Sequence, residues 1–480
     1  MKGIPRPVLY AACAALMTAG CVNVPPPASL TESWRPPAAA SAEDTVWRDI
    51  RAGTPAPEQP LSLLTLADMA LENNPATRKA WNEARTASEQ VRYTQGFFLP
   101  SVTAVAGLTR TSVSAHPETL DENKMNYGPG LQLSYLVCNF GGGRHAAVEQ
   151  ALHSVYAANF AFNRAIQDTL LSVETAYYAV ISAGAGAEAA ETNALDTKAI
   201  LDAAAARRDA GLGIDLDVLQ AQAGYDQALY TLAAAEGQKQ TAKGLLAQAL
   251  HLPADTPLQV APPAEDIPAS LSETDMRRMM DEALTRRPDL AAQRALLAAR
   301  EAAVRVARAS RWPSLYVNGS ATRNYNELYG MSNRNMTEDD WSYNGGVSLR
   351  WNLFDGLQTL SSLRMAEAQA AALREQIRQA ELAASAEIWT RFHAYETARR
   401  KHDFSAAALK SATASREMAF QSYQAGVKTI LDLLNAEAQL SRARSQHVTA
   451  RQEIFTALTQ LAHAVGLLER GEAGLHPAVK

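Results

Sequence analysis

Two periodicities of hydrophobic residues alternate along this chain, one helical and one of period two. Helical spacing of apolar and alanine residues begins at Leu63, and the break at Asn74-Pro75 predicts a short helix that ends near Leu71. The longer predicted helices follow at residues 75–96, 144–208, 215–251, 288–311, 357–424 and from the turn at Gly426 to about 465. A helix as long as 144–208 reaches on the order of 100 Å, which is too long for a compact globule of this size.

The period-two segments come in two pairs, one in each half of the chain. In the clearest of them, Tyr343, Val347 and Leu349 alternate with polar residues and glycine. The predicted strands lie near residues 101–109, 127–137, 315–321 and 343–353. Strands of about ten residues suit a tilted membrane strand, although a half-buried soluble hairpin has the same alternation. The polar stretches Ser114–Asn126 and Tyr325–Asp340 are predicted as loops.

An internal duplication underlies this order of elements. Ala210-Gly211 recurs as Ala425-Gly426, 215 positions later, and the Leu-Asp pair at 216–217 recurs at 431–432 with the same offset. Proline residues at 75 and 100 recur at 288 and 313, an offset of 213. We therefore predict two copies of one unit, repeat 1 at residues 61–252 and repeat 2 at 271–466, joined by a proline-dotted linker at 253–270.

The N-terminal residues have the order of a secretory signal. Lys2 and Arg6 precede an apolar run that is too short to span a bilayer, and small residues follow it. Thr18-Ala19-Gly20-Cys21 resembles a bacterial lipobox, with Thr18 where leucine is usual. We expect a signal peptide at 1–20, a lipid on Cys21 and a proline-rich arm over 21–60; the alternative is an ordinary signal peptide that contains a cysteine. Residues 467–480 are expected to form a polar tail.

Composition excludes several function classes. The net charge of −5 offers no basic footprint for nucleic acid. The nine histidines form no H-E-x-x-H pattern, the chain has no G-x-S-x-G element, and the glycines at 141–143 lack the phosphate-loop pattern. We expect no catalytic residue, no metal and no cofactor. Once Cys13 and Cys21 are assigned to the signal and the lipid, Cys138 has no partner for an intramolecular disulfide.

The number of strands matters if they lie in a membrane. Unpaired backbone groups in lipid cost several kcal/mol each, so membrane strands must form a closed barrel. A barrel filled by side chains needs about eight strands, and one chain supplies only four. Membrane strands here would therefore require several copies of the chain.

Three motifs resemble TolC-like outer-membrane efflux proteins. The first is Tyr423-x-x-Gly426-x-Lys428-Thr429-Ile430-x-Asp432, the second is the Arg-Pro-Asp-Leu sequence at 287–290, and the third is the Trp-Pro-Ser step at 312–314. Together with the duplicated order of helices and strands, the resemblance covers about residues 61–465. The N-terminal signal with its lipobox-like cysteine resembles the branch of the family whose members are lipoproteins and serve multidrug efflux pumps of the resistance-nodulation-division type.

The resemblance implies an α+β membrane protein that assembles as a homotrimer. Each protomer would give four strands to a 12-stranded outer-membrane β-barrel, and the long helices would form a periplasmic α-helical barrel. The turns with Gly211, Gly213 and Gly426 would lie at the periplasmic tip of the helical hairpins. Implied partners are a periplasmic adaptor (membrane fusion) protein, an inner-membrane efflux pump and outer-membrane lipid.

The resemblance also implies a gate at that tip. Tyr423 and Lys428 take the positions that link neighbouring coils in the closed state, and Asp432 takes the position of an acidic ring. Asn435 stands where a second acidic ring is common, which leaves one ring of charge. Symmetry-related carboxylates around a narrow pore favour cations, but Asp432 is also placed as an ordinary polar residue near a helix start. Asp215 is predicted to cap the helix in the first copy.

We therefore expect a passive outer-membrane exit duct of a tripartite efflux system, with no enzymatic activity. A type I secretion duct for proteins is the alternative within the family. A soluble periplasmic coiled-coil scaffold or adaptor is the alternative of a different class.

Overall fold

The structure is a computed structural model that describes residues 60–113, 122–262, 271–329 and 336–468. These residues belong to one compact unit, Glu58–Lys480. The predicted signal peptide, Cys21 and nearly all of the proline-rich arm lie outside the described residues. The first part of the loop predicted at 114–126, the middle of the loop predicted at 325–340, part of the linker and most of the predicted tail also lie outside them.

The order of elements follows the predicted plan. The eight described helices are α1 (Leu63–Asn73), α2 (Pro75–Gly96), α3 (Gly143–Asp209), α4 (Asp215–Ala249), α5 (Glu273–Arg286), α6 (Pro288–Ala309), α7 (Gln358–Gln424) and α8 (Ile430–Val465). The four described strands are β1 (Ser101–Val113), β2 (Glu122–Asn139), β3 (Ser314–Tyr329) and β4 (Met336–Arg350). None of the described helices is long and apolar enough to cross a membrane.

The helix break predicted at Asn74 is confirmed, and its chemistry is local. The Asn74 side chain accepts a hydrogen bond from Ala76 N at 2.7 Å, and Pro75 occupies the first turn of α2. Asparagine at the cap and proline at the first position are favourable at a helix start. Arg287 and Pro288 occupy the same places between α5 and α6.

Helix α5 was not among the predicted helices, although a capping box marks its N-terminus. The Ser272 hydroxyl accepts from Asp275 N, while the Asp275 carboxylate accepts from Ser272 N at 3.0 Å. This capping box is visible in the sequence as Ser-x-x-Asp. Helix α6 ends at Ala309, two residues before the predicted Arg311.

The four strands form one antiparallel sheet in the order β1-β2-β3-β4. Their register aligns Thr103, Gln132, Ser320 and Asn344 in one row across the sheet. The opposite face carries the exposed large hydrophobic residues Val102, Leu108, Leu131, Leu133, Tyr343, Val347 and Leu349. The predicted alternation is confirmed, and it separates a polar face from an apolar face.

The predicted loop bounds are wrong, because the strands extend into both polar stretches. β2 begins at Glu122, β3 continues to Tyr329 and β4 begins at Met336. Backbone pairing continues there: Asn126 pairs with Thr109 on one side and with Asn326 on the other. Polar side chains do not end a strand whose backbone groups remain paired.

Glycine is required where the sheet joins the helices. Gly142 precedes α3 with φ of +71°, in the left-handed region that favours glycine. A Cβ on Gly141 would lie 2.5 Å from the Ala309 Cα, so the end of β2 can approach α6 only without a side chain there. The successive glycines therefore allow the sharp turn from β2 into α3.

The two repeats pack against each other through alanine-rich and aromatic contacts. Phe455 of α8 stacks on Tyr178 of α3 with ring centroids 5.0 Å apart. A further cluster, within the second half of the chain, joins α5, α7 and α8 and includes the fully buried Ile388, Tyr395 and Ile454. Small side chains let long helices approach closely, so the fold brings residues from distant parts of the chain together.

Candidate functional site

The two hairpin tips are the site on which the sequence analysis converged. The first tip is the turn 210–214 between α3 and α4, and the second tip is the turn 425–429 between α7 and α8. Gly211 and Gly426 have φ of +73° and +75°. In the first tip Leu212 N donates to Arg207 O at 2.8 Å, and in the second Val427 N donates to residue 422 O at 2.9 Å. Both tips are therefore the same glycine-dependent helix end.

Gly213 is required for a different reason. A Cβ at this position would lie 3.2 Å from Arg208 N, a tight approach to backbone. The equivalent position of the second tip, 215 residues later, is Lys428. The second tip therefore carries a long side chain at the position where the first tip is tightly packed against backbone.

Tyr423 lies inside the junction of the two tips. It is 3% exposed and packs in a cluster with Ile200 of α3 and Leu433 of α8. Its hydroxyl has no hydrogen-bond partner among the described residues. Burial, with a smaller contribution from the Asp217 carboxylate, raises the pKa of Tyr423.

Asp432 has a local structural role in the second tip. Its Oδ2 accepts from Thr429 N at 3.1 Å and from Thr429 Oγ1 at 2.9 Å, and the Thr429 hydroxyl accepts from Asp432 N. These hydrogen bonds lower the pKa of Asp432, with a smaller effect from Lys428, whose Nζ is 4.0 Å from Oδ1. Asn435 is exposed one turn further along α8. The carboxylate therefore caps the helix and remains ionised at neutral pH.

The first tip has no such cap, and the prediction that Asp215 caps α4 is wrong. The cap position is Ile214, which offers no side-chain hydrogen bond, and Asp215 is the first residue of the helix. The N-cap residue precedes the first helical residue, so Asp215, which is already inside α4, does not occupy the capping position. Ile214 stands at the position equivalent to Thr429, so the two copies differ at the cap itself.

Arg207 joins the two tips, and the sequence analysis did not identify it. Its Nη1 donates to Tyr423 O at 2.5 Å and to Gln424 O at 3.1 Å. Its guanidinium carbon lies 5.0 Å from the Tyr423 ring centroid. Arg207 and Tyr423 are 216 positions apart, so no local motif marks the contact.

A group of four charged residues lies behind the tips and was also missed. Arg416 of α7 donates from Nε to Glu437 Oε2 of α8 at 2.8 Å, and Asp196 of α3 accepts from Arg444 at 2.9 Å. Arg416 Nη2 lies 3.3 Å from Asp196 Oδ1 and connects the two pairs. The Glu437 side chain is only 3% exposed, and burial raises its pKa despite Arg416. These contacts tie helices of both repeats together.

Large hydrophobic side chains are exposed at both tips. Leu212 is 72% exposed and Val427 is 78% exposed. The others are Ile214 in the first tip and, in the helices that follow the tips, Leu216, Leu219 and Leu431. Such a concentration of exposed apolar surface is typical of a site of protein association.

Comparison with known proteins assigns the family. The profile described as outer membrane efflux protein matches residues 66–250 and 279–467. The chain belongs to the outer membrane efflux protein family. It is 30% identical to protein CyaE of Bordetella pertussis over 415 residues, 85% of each chain. It is 28% identical to the pyoverdine export outer membrane protein OpmQ of Pseudomonas aeruginosa over 472 residues, 95% of this chain and 96% of OpmQ.

Solved structures agree on the fold. The outer membrane protein VceC of Vibrio cholerae superposes with a TM-score of 0.71 at 22% identity, covering 84% of this chain and 96% of VceC. The resemblance to TolC-like outer-membrane efflux proteins is confirmed. Members of this family are non-enzymatic transport ducts of the Gram-negative outer membrane, and this chain is an efflux channel component of that kind.

Proposed function

We propose that three copies of this chain form a passive exit duct across the outer membrane and periplasm. An adaptor and an energised inner-membrane pump of the resistance-nodulation-division type would deliver small molecules into it. Family membership is the observation that carries this proposal. The strands, the tips and the N-terminus each support one part of it.

The sheet supports the membrane part. Its apolar face is exposed along β1, β2 and β4 and half-buried along β3, whereas the row with Gln132 and Asn344 lies on the polar face. β1 and β4 have no second partner within the described sheet, so their outer edges carry unpaired backbone groups. Edges of this kind are stable in lipid only if other strands pair with them. Three copies with four strands each would close a barrel of twelve.

Aromatic residues support the position of the membrane boundary. Trp312 precedes β3 and Trp351 follows β4, so both lie at the helical end of the sheet, and each is 57% exposed. Tyr135 lies in β2 and is half-buried. Tryptophan and tyrosine are enriched where a membrane barrel meets the interface. We propose that these three residues form part of an aromatic girdle.

The hairpin tips support the part that concerns the gate and the adaptor. In the trimer, symmetry would repeat Asp432 three times around the closed aperture. Tyr423 and Lys428 would hold the neighbouring coils together, and Asn435 would leave the aperture with one ring of charge. The exposed apolar side chains of Leu212 and Val427 would contact the adaptor.

The N-terminal motif supports a lipid anchor on Cys21. A single acyl chain binds membranes only marginally, so stable anchoring would need several chains or the barrel itself. Metabolic labelling with an alkyne fatty acid tests this assignment. Label on the wild type and none on Cys21→Ser is the expected result, and equal labelling of both would exclude Cys21 as the acylated residue.

Fractionation of a Gram-negative cell that expresses the chain tests the proposal as a whole. Semi-native electrophoresis of the detergent extract should reveal a heat-labile trimer in the outer-membrane fraction. A monomer released without detergent would refute the barrel and favour the soluble scaffold.

Cargo is the remaining part of the proposal. OpmQ is named for export of pyoverdine and not of a protein, which supports a duct for small molecules. Accumulation of a fluorescent dye in cells with and without the chain, together with a matched pump, tests this. Export of a protein substrate with no change in dye accumulation would favour the type I secretion alternative.

A further inference from the structure

We propose that Arg207 is a clamp between the two repeats that positions the second tip, which carries Lys428 and leads into the first turn of α8 with Asp432. Only the expected consequence of the clamp, a closed aperture, rests on the proposed function. The clamp itself rests on contacts within one chain.

The contact closes the carbonyl end of α7. The last four carbonyls of a helix have no partner inside the helix. Gly426 N donates to Tyr423 O at 3.0 Å and Val427 N donates to Ser422 O at 2.9 Å. Arg207 adds a second donor to Tyr423 O and supplies a donor to Gln424 O. The end of α7 is thereby completed by a side chain from the other repeat.

The guanidinium is held from three directions. Its central carbon lies over the Tyr423 ring, 5.0 Å from the ring centroid. Nη2 lies 3.4 Å from Leu212 O in the first tip. Arg207 therefore contacts the first tip, the second tip and the buried tyrosine between them, which suits a planar group with several donors better than the point charge of a lysine.

Only the first repeat supplies this clamp. The position equivalent to Arg207, 215 residues later, is Ser422, whose side chain is too short to reach the other tip in the same way. The neighbouring Arg208 points elsewhere and pairs with Asp209 at 2.7 Å. The two adjacent arginines therefore make different contacts, and Arg208 serves as a matched control for Arg207.

The clamp uses carbonyl groups and an aromatic ring in place of a carboxylate. Among the described residues, no carboxylate lies within ion-pair distance of the Arg207 guanidinium. Carbonyl acceptors do not titrate, so protonation of carboxylates should leave these contacts intact. We expect the clamp to hold from pH 7 to pH 5.

The test compares Arg207→Ala, Arg207→Lys and Arg208→Ala in the full-length assembled protein. Hydrogen exchange of the backbone amides at 425–428, followed by mass spectrometry, reports the position of the turn without any pore. Each charge-assisted hydrogen bond that is lost predicts roughly tenfold faster exchange in Arg207→Ala. Arg207→Lys should restore part of the protection, because its ammonium group reaches the carbonyls but does not stack. Arg208→Ala should match the wild type.

Permeability of the aperture is the second readout. Cells with Arg207→Ala should become sensitive to vancomycin, whereas cells with Arg208→Ala should not. Unchanged exchange in Arg207→Ala, or the same increase in Arg208→Ala, would overturn the clamp whether or not the chain forms a duct. Arg207→Ala could also exchange faster without making cells leaky, in a strain where replacement of Tyr423 and Lys428 does cause leakage. That result would overturn the role of the clamp at the aperture and leave the proposed duct intact. If none of the variants leaks and no trimer forms, the proposed function fails and the exchange data alone decide the clamp.

Discussion

The pair between Arg416 and Glu437 offers the sharpest test of how the tips are supported. Arg416→Met removes the only hydrogen bond to Glu437 Oε2, and Glu437 Oε1 has no partner among the described residues. Breaking a buried pair on one side costs about 3 to 5 kcal/mol, because the remaining charge stays desolvated. Replacing both partners, in Arg416→Met with Glu437→Leu, should cost less than about 1 kcal/mol.

Hydrogen exchange of the α8 amides at 433–441 in the detergent-solubilised protein measures this cost. A loss of about 3 kcal/mol corresponds to roughly 150-fold faster exchange if the opening is local. The pair of Arg378 and Glu375 on α7 is the matched control, because both side chains are more than 60% exposed. Arg378→Met should cost less than about 1 kcal/mol.

The effect of the single substitution should depend on pH. Burial already raises the pKa of Glu437 in the folded protein, and loss of Arg416 raises it further. A carboxyl group with a raised folded pKa stabilises the fold at low pH, and this contribution is lost as pH rises through the folded pKa. Arg416→Met should therefore recover protection as pH falls from 7 towards the unfolded value near 4.3. The reasoning would be refuted if the α8 amides exchanged equally fast in Arg416→Met and in the double variant, or if their protection in Arg416→Met did not depend on pH.

Three further predictions concern the second tip. Asp432→Asn removes the charge and keeps a capping acceptor, whereas Thr429→Ala removes the cap and keeps the charge. We expect the block of the channel by cations in planar bilayers to change only in Asp432→Asn. Unchanged cation block in Asp432→Asn would refute the acidic ring. Replacing Tyr423 and Lys428 together should make cells sensitive to vancomycin, and unchanged sensitivity would count against their role in closure. Gly426→Ala places a side chain in the left-handed region at φ of +75° and should destabilise the tip by about 1 kcal/mol, measurable as faster amide exchange.

Gly237 is the matched control for Gly426→Ala. It lies inside α4 with no atom within 4 Å of an added Cβ. Gly237→Ala should stabilise α4 by about 0.5 to 1 kcal/mol, because alanine is the better helix former. Equal effects at both glycines would show that the positive φ does not limit the choice of residue at the tip.

Local chemistry explains where the sequence analysis succeeded and where it did not. The break at Asn74-Pro75 depends on residues within two positions of each other, and it was predicted. The capping boxes that begin at Ser272 and Thr429 are equally local, so their Ser-x-x-Asp and Thr-x-x-Asp patterns contained the signal although it was not used. The cap assigned to Asp215 was wrong by one position, because the helix begins there and the cap is the residue before it.

The sequence by itself determined most of the helices, the existence of the four strands and the glycine turns, because each depends on the spacing of residues close together in the chain. It also carried the motifs that indicate the family. Only the tertiary structure decided that Arg207 reaches the end of α7 and that Arg416 lies between Asp196 and Glu437. The contacts of Arg207 with Tyr423 and of Arg416 with Asp196 join residues about 220 positions apart, and the packing of the helices brings them together. A long side chain such as that of Arg207 could reach many acceptors in an unfolded chain, and only the packed helices decide which of them it contacts.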